Sequence, residues 1–141
     1  MKYLNILAIL IIGVSISLIS SCKKDDTGPQ YTESVMLIDS ITYPDTVAFG
    51  GKLPIQFYGV IGDGCDYFSR FEEVELDETD PANTFKIRIY RKTEEGVNCT
   101  EQVKYLEDAI INLTGMAAGN FYIKVVQPNG SFLEGLVFIE E

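Results

Sequence analysis

From Val35 onward the chain alternates apolar and polar residues with a period of two, and turn residues break the alternation at short intervals. That pattern predicts half-buried strands. "VMLIDSITY", Val35 to Tyr43, runs into Pro44, and Asp45 to Phe49 is a short continuation stopped by Gly50 and Gly51. In "KLPIQFYGVI", Leu53, Ile55, Phe57, Gly59 and Ile61 share a face, with Pro54 in the opposite phase, as suits an edge or a strand start. Tyr67 to Leu76 begins as a strand, but its apolar phase slips between Phe71 and Val74, which predicts a bulge near Glu72 and Glu73. Phe85, Ile87 and Ile89 alternate with Lys86, Arg88 and Tyr90, and Phe121, Ile123 and Val125 share another face. "QVKYLEDAIINL" has room for a helical turn but reads mostly as strand. Pro128-Asn129-Gly130-Ser131 predicts a type I′ hairpin leading into a last strand, Phe132 to Ile139.

Seven to eight short strands without a convincing helix predict an all-β fold of two packed antiparallel sheets. "LTGMAAGNFYIKV" resembles the corner between strands E and F of immunoglobulin-like domains, although Phe121 holds the place of the corner tyrosine and Tyr122 comes one residue late. The resemblance implies an immunoglobulin-like antiparallel β-sandwich over residues 35–141. Trp is absent, and the cysteine spacing is not that of antibody domains.

The N-terminus is patterned differently. Leu4 to Ile19, "LNILAILIIGVSISLI", is almost wholly apolar after Lys2, yet short of the roughly 20 residues a spanning helix needs. It reads as a signal peptide. Ile19-Ser20-Ser21-Cys22 at its end resembles the lipobox of bacterial lipoproteins, which implies cleavage before Cys22 and acylation of that cysteine. Residues 1–21 are then the lipoprotein signal peptide and 22–34 a lipidated tether, since "DDTGPQYTES" has no periodicity and carries Gly and Pro. "SCKKDD" resembles the opening of surface-displayed lipoproteins of the Bacteroidota. The expected address is therefore the cell envelope, as an outer-membrane lipoprotein exposed at the surface and held by its lipid.

Eleven Lys and Arg stand against 21 Asp and Glu, a formal charge of −10, and losing residues 1–21 makes it one unit more negative. Such a surface repels nucleic acid. With Cys22 given to lipid, Cys65 and Cys99 remain as an even pair, and an oxidising compartment favours a disulfide between them.

Chemistry is harder to find. The chain has no histidine, which removes the commonest general base and metal ligand, and it carries no nucleophile elbow, phosphate loop or dinucleotide fingerprint. No cofactor and no metal are expected. Asp77, Asp80 and Asn83 in "LDETDPANT" only loosely match a calcium loop, and solvated loops account for these acids. Tyr58, Tyr90 and Tyr122 fall on outward phases: brought together they would make a binding face for a glycan or an envelope protein, whereas scattered they would suit a structural role. Ser40 in Asp39-Ser40-Ile41 and Thr46 in Asp45-Thr46-Val47 resemble O-glycosylation sites of the Bacteroidota. The expected function is a membrane-anchored, non-catalytic binding or structural sandwich; a small glycan-active enzyme or protease inhibitor is the alternative.

Overall fold

The computed structural model describes residues 28–141. Among the described residues, eleven strands and no helix follow one another: β1 (Tyr31–Val35), β2 (Ser40–Thr42), β3 (Thr46–Ala48), β4 (Leu53–Tyr58), β5 (Val60–Gly62), β6 (Asp66–Glu73), β7 (Thr84–Glu94), β8 (Lys104–Tyr105), β9 (Ile110–Leu113), β10 (Gly119–Val126) and β11 (Phe132–Glu140). The number exceeds the expected seven to eight because long strands are interrupted. β4 with β5 and β9 with β8 are two such halves: Gln56 opposite Ile110 and Gly62 opposite Lys104 fall in one antiparallel register, with an irregularity between Val60 and Gly62.

The larger sheet runs β1-β7-β10-β11-β3, with β6 on the other edge of β7. Arg88 pairs with both Val126 and Glu72, and Arg91 with both Ser34 and Phe68, so β10 and β1 share one edge of β7 in succession while β6 takes the other. β2, β4 and β9 form the second sheet. The sandwich is all-β as expected, but the uniformly antiparallel pairing is corrected: β10 runs parallel to β7, and β3 parallel to β11. The reason is the route of the chain. It leaves β7, returns through β8 and β9 beside β4 and β5, and re-enters the larger sheet in its original direction, the crossover that parallel neighbours require.

The expected faces do form the core. Leu53, Ile55 and Phe57 are fully buried, and Phe85, Ile87, Ile89, Phe121, Ile123 and Val125 join them with Met36, Ile38, Val137 and Ile139. Each such side chain contributes about 1.5 to 3 kcal/mol through removal from water.

Three local expectations are corrected. The bulge in β6 lies between Phe68 and Arg70, not near Glu72 and Glu73. The tether ends sooner than Ser34, because Tyr31–Val35 pairs antiparallel with β7 from Glu94 to Tyr90. The 127–131 turn closes with Gly130 N–H on the Gln127 carbonyl at 2.9 Å, and only Gly130 has positive φ (82°). The turn thus closes one residue early, with Pro128 and Asn129 as its central pair: the proline φ near −65° suits type I there, and Asn129 does not take the positive φ that a type I′ turn on Asn129 and Gly130 demands.

Cys65 and Cys99 are joined, with Cα atoms 5.1 Å apart. Gly64 makes the meeting feasible: its N–H donates to the Thr100 carbonyl at 3.0 Å, and a Cβ there would lie 2.0 Å from Thr100 Oγ1. The bridge spans a sequence separation of 34 residues. Replacing both cysteines by Ala is expected to lower the unfolding free energy by about 3 to 4 kcal/mol on the chain-entropy account. Urea unfolding of the two proteins checks this, and an unshifted midpoint would contradict it.

Candidate functional site

The three outward tyrosines do not share a face. Tyr58 lies on β4 opposite Ser40, in the smaller sheet, while Tyr90 and Tyr122 belong to the larger one. Tyr122 pairs with Thr84, six residues before Tyr90, a separation of roughly 20 Å at about 3.3 Å per residue. Tyr90 is also engaged: the Arg70 guanidinium stands 4.0 Å over its ring, and its hydroxyl donates to Glu72 at 3.2 Å. The common tyrosine platform is therefore corrected. Ser40 and Thr46 are exposed, on β2 and β3. Cys22 lies outside the described residues. Asp63 Oδ1 accepts from the Cys65 N–H, and although Asp63, Cys65 and Cys99 cluster, the two sulfurs are bonded to each other and hold no thiolate for a metal.

Tyr122 instead lines a groove of about 490 Å³ on the outer face of the larger sheet, with Tyr43, Thr79, Pro81, Lys124, Glu134 and Leu136 around it. Strand register explains its shape. Tyr122 stands opposite Leu136, and Lys124 opposite Glu134, so two rows of side chains rise across β10 and β11. Between them lie Ile123 and Gly135, and Ile123 sends its side chain into the core, which leaves main chain as the floor. One wall is aromatic and aliphatic, the other an ion pair at 3.8 Å. Tyr43 closes the β11 edge: the Leu136 N–H donates to its hydroxyl at 3.3 Å, and its ring occupies the space where a Cβ on Gly135 would come within 2.8 Å.

The opposite end is built by the loop between β6 and β7, and here the reading of its acids as solvated is corrected for Asp80, while Asp77 and Glu78 are exposed. Asp80 has only 2% of its side chain exposed. It accepts from Lys86 Nζ at 2.8 Å and from Lys124 Nζ at 2.7 Å, while Asp77 takes a second bond from Lys86 at 3.0 Å. The two ammonium groups occupy the positions beside Asp77 and Asp80 that a calcium ion would need. Lys86 and Lys124 alternate outward along β7 and β10 and pair across them, and the Phe132 ring lies 5.3 Å from each ammonium. The loop also holds itself in shape, through the Asp77 N–H on Asp80 Oδ2 and the Thr79 N–H on Asp77 Oδ1.

Hydrogen bonds from Lys124 and then Lys86 hold the Asp80 carboxyl well below the usual aspartate range. Asp77 is lowered as well, chiefly by the Thr79 hydroxyl, and both lysines are raised, chiefly by Asp80. None of Lys86, Lys124, Glu134 or Tyr43 stands out as a site in the sequence pattern, and Asp80 does so only as part of a loose calcium-loop match. Two lysines on outward phases of strands that pair was the signal, and it becomes visible only once β7 and β10 are known to be neighbours.

Two packed sheets, with a disulfide linking the β5–β6 and β7–β8 connections and a groove on one outer face, define a β-sandwich domain. Residues 55–137 match the family model of the ORF11 beta-sandwich domain, more than half of the chain, and the protein belongs to that family. No curated protein and no solved structure matches the chain.

Because the folded-state pKa of Asp80 is depressed, the unfolded chain takes up its proton first as pH falls. The stability due to Asp80 is therefore present above the ordinary value of 3.8 and is lost as pH falls through that value towards the depressed folded one. Asp80→Asn is expected to be less stable than wild type at about pH 7 and to approach it at about pH 2. Denaturant midpoints of both proteins across that range test this. A constant difference would contradict it.

Proposed function

We propose that this protein is a lipid-anchored, non-catalytic recognition lipoprotein of the cell envelope, held at the outer membrane and exposed at the cell surface, whose partner is a glycan or an envelope protein. The observation that carries the reading is the outer-face groove with one aromatic wall and one ion-paired wall. Mixed lining of this kind, at this volume, is what small-ligand recognition sites use. The anchor rests on the apolar run before Cys22 and the lipobox-like residues around it. Two or three acyl chains make a lasting attachment where one would be marginal.

The geometry of the sheet suits presentation. The tether enters at Tyr31, opposite Glu94 at the far end of β7, whereas the groove lies beside Lys86, which pairs with Lys124. Eight residues of strand separate those levels, on the order of 25 Å. The segment from Cys22 to Gln30 is long enough to add a reach of at most roughly 30 Å. A lipid-held body would thus carry its groove at the end away from the tether.

Glycoside hydrolysis wants two carboxyl groups flanking a bound sugar. The groove is lined by one, Glu134, and Asp80 beside it is committed to two lysines. Recognition therefore fits better than catalysis. A purely structural role is the second reading, favoured by the scatter of Tyr58, Tyr90 and Tyr122.

Replacing Cys22 by Ala is expected to move the protein from the membrane pellet to the soluble fraction of fractionated cells. Full retention in the pellet would contradict the anchor.

A further inference from the structure

We infer that the outer-face groove binds a neutral saccharide, one pyranose ring lying against Tyr122 with its hydroxyls towards Lys124 and Glu134. This rests on the recognition reading above and narrows it to a ligand class.

Three observations select that chemistry. The first is the pair of walls. A pyranose has an apolar face of C–H groups and a rim of hydroxyls, and the groove offers Tyr122 with Leu136 on one side and an ammonium with a carboxylate on the other. The CH-bearing face meets the aromatic ring, and the rim meets a donor and an acceptor.

The second is the floor. Ile123 and Gly135 lie within the continuous ladder of β10 and β11, and β10 is further paired to β7. Their main-chain groups are already committed to strand pairing, so an extended peptide would gain no added-strand hydrogen bonds there. Affinity must come from side chains alone. A sugar ring needs nothing else.

The third is charge. Lys86 and Lys124 at the groove's loop end are matched by Asp77, Asp80 and Glu134, three carboxylates to two ammonium groups. The chain as a whole carries −10. Lys124 is spoken for by Asp80 at 2.7 Å before any ligand arrives. An acidic polysaccharide finds no free cation and meets a repelling field.

The test is affinity electrophoresis of the full mature chain in a polyoxyethylene detergent, which carries no sugar. Native gels hold dextran, mannan, xylan or laminarin as neutral probes and alginate as the acidic one. At least one neutral polysaccharide is expected to retard the wild type and alginate none. Tyr122→Ala should weaken that retardation about tenfold or more, the loss of one aromatic contact. Tyr122→Phe keeps the ring and should bind, which separates loss of stacking from loss of fold, and Tyr58→Ala on the other sheet should behave as wild type. Retardation by none of the four neutral probes, or by alginate alone, or undiminished in Tyr122→Ala, would overturn the saccharide. A displayed random peptide library distinguishes the two levels of failure. Peptides bound in a Tyr122-dependent way, with no sugar bound, would sink the ligand class and leave recognition standing, whereas no Tyr122-dependent binding of either kind would sink both.

Discussion

A single buried carboxylate organises the outer face of this sandwich. Asp80 sits between Lys86 and Lys124, one from each of two neighbouring strands, and carries almost no exposed surface. Burying such charges is costly unless each is paired and hydrogen-bonded, and here both carboxylate oxygens and both ammonium groups are. The arrangement holds the loop between β6 and β7 against the sheet. It also fixes Lys124, the residue that forms the polar wall of the groove. Without it, Thr79 and Pro81 would have no reason to stand over β10.

The hydrophobic core sets the stage for that contact in a less specific way. Period-two burial places Phe85, Ile87, Ile123 and Val125 inside, and the same periodicity obliges Lys86 and Lys124 to point out. Parallel pairing of β7 with β10 then brings the two lysines level. One acidic loop residue can satisfy both at once only because of that register. Core, register and ion cluster are thus successive consequences of one alternation, and the groove is the last of them.

This order also explains what could be read from residues alone. The inward faces of β4, β7 and β10 are legible because alternation is local, and the pairing of Cys65 with Cys99 because an even cysteine pair, once the N-terminal pattern is read as an export signal, has few other uses. The Pro128 turn was readable either way, since Asn-Gly suits the centre of a type I′ turn and proline the first central position of a type I turn, and the chain takes the second. Alternation assigns a side of a strand but says nothing about which sheet the strand joins or how far along it a residue falls. Whether Tyr58, Tyr90 and Tyr122 meet is therefore not legible in the pattern, and the fold scatters them. Asp80 was unreadable for a related reason: its partner on β10 is 44 residues distant, and nothing in "DETDPAN" distinguishes an acid that finds two lysines from one that stays in water. The chemistry of the site lives in contacts between strands, where a linear pattern has least to say.

The groove depends on Asp80 holding its loop to the sheet. Amide hydrogen exchange, compared between wild type and Asp80→Asn, measures this residue by residue. Faster exchange confined to residues 77–83, with the paired amides of β10 and β11 as protected as before, is the predicted result. Equal exchange of the loop in both proteins would contradict the account.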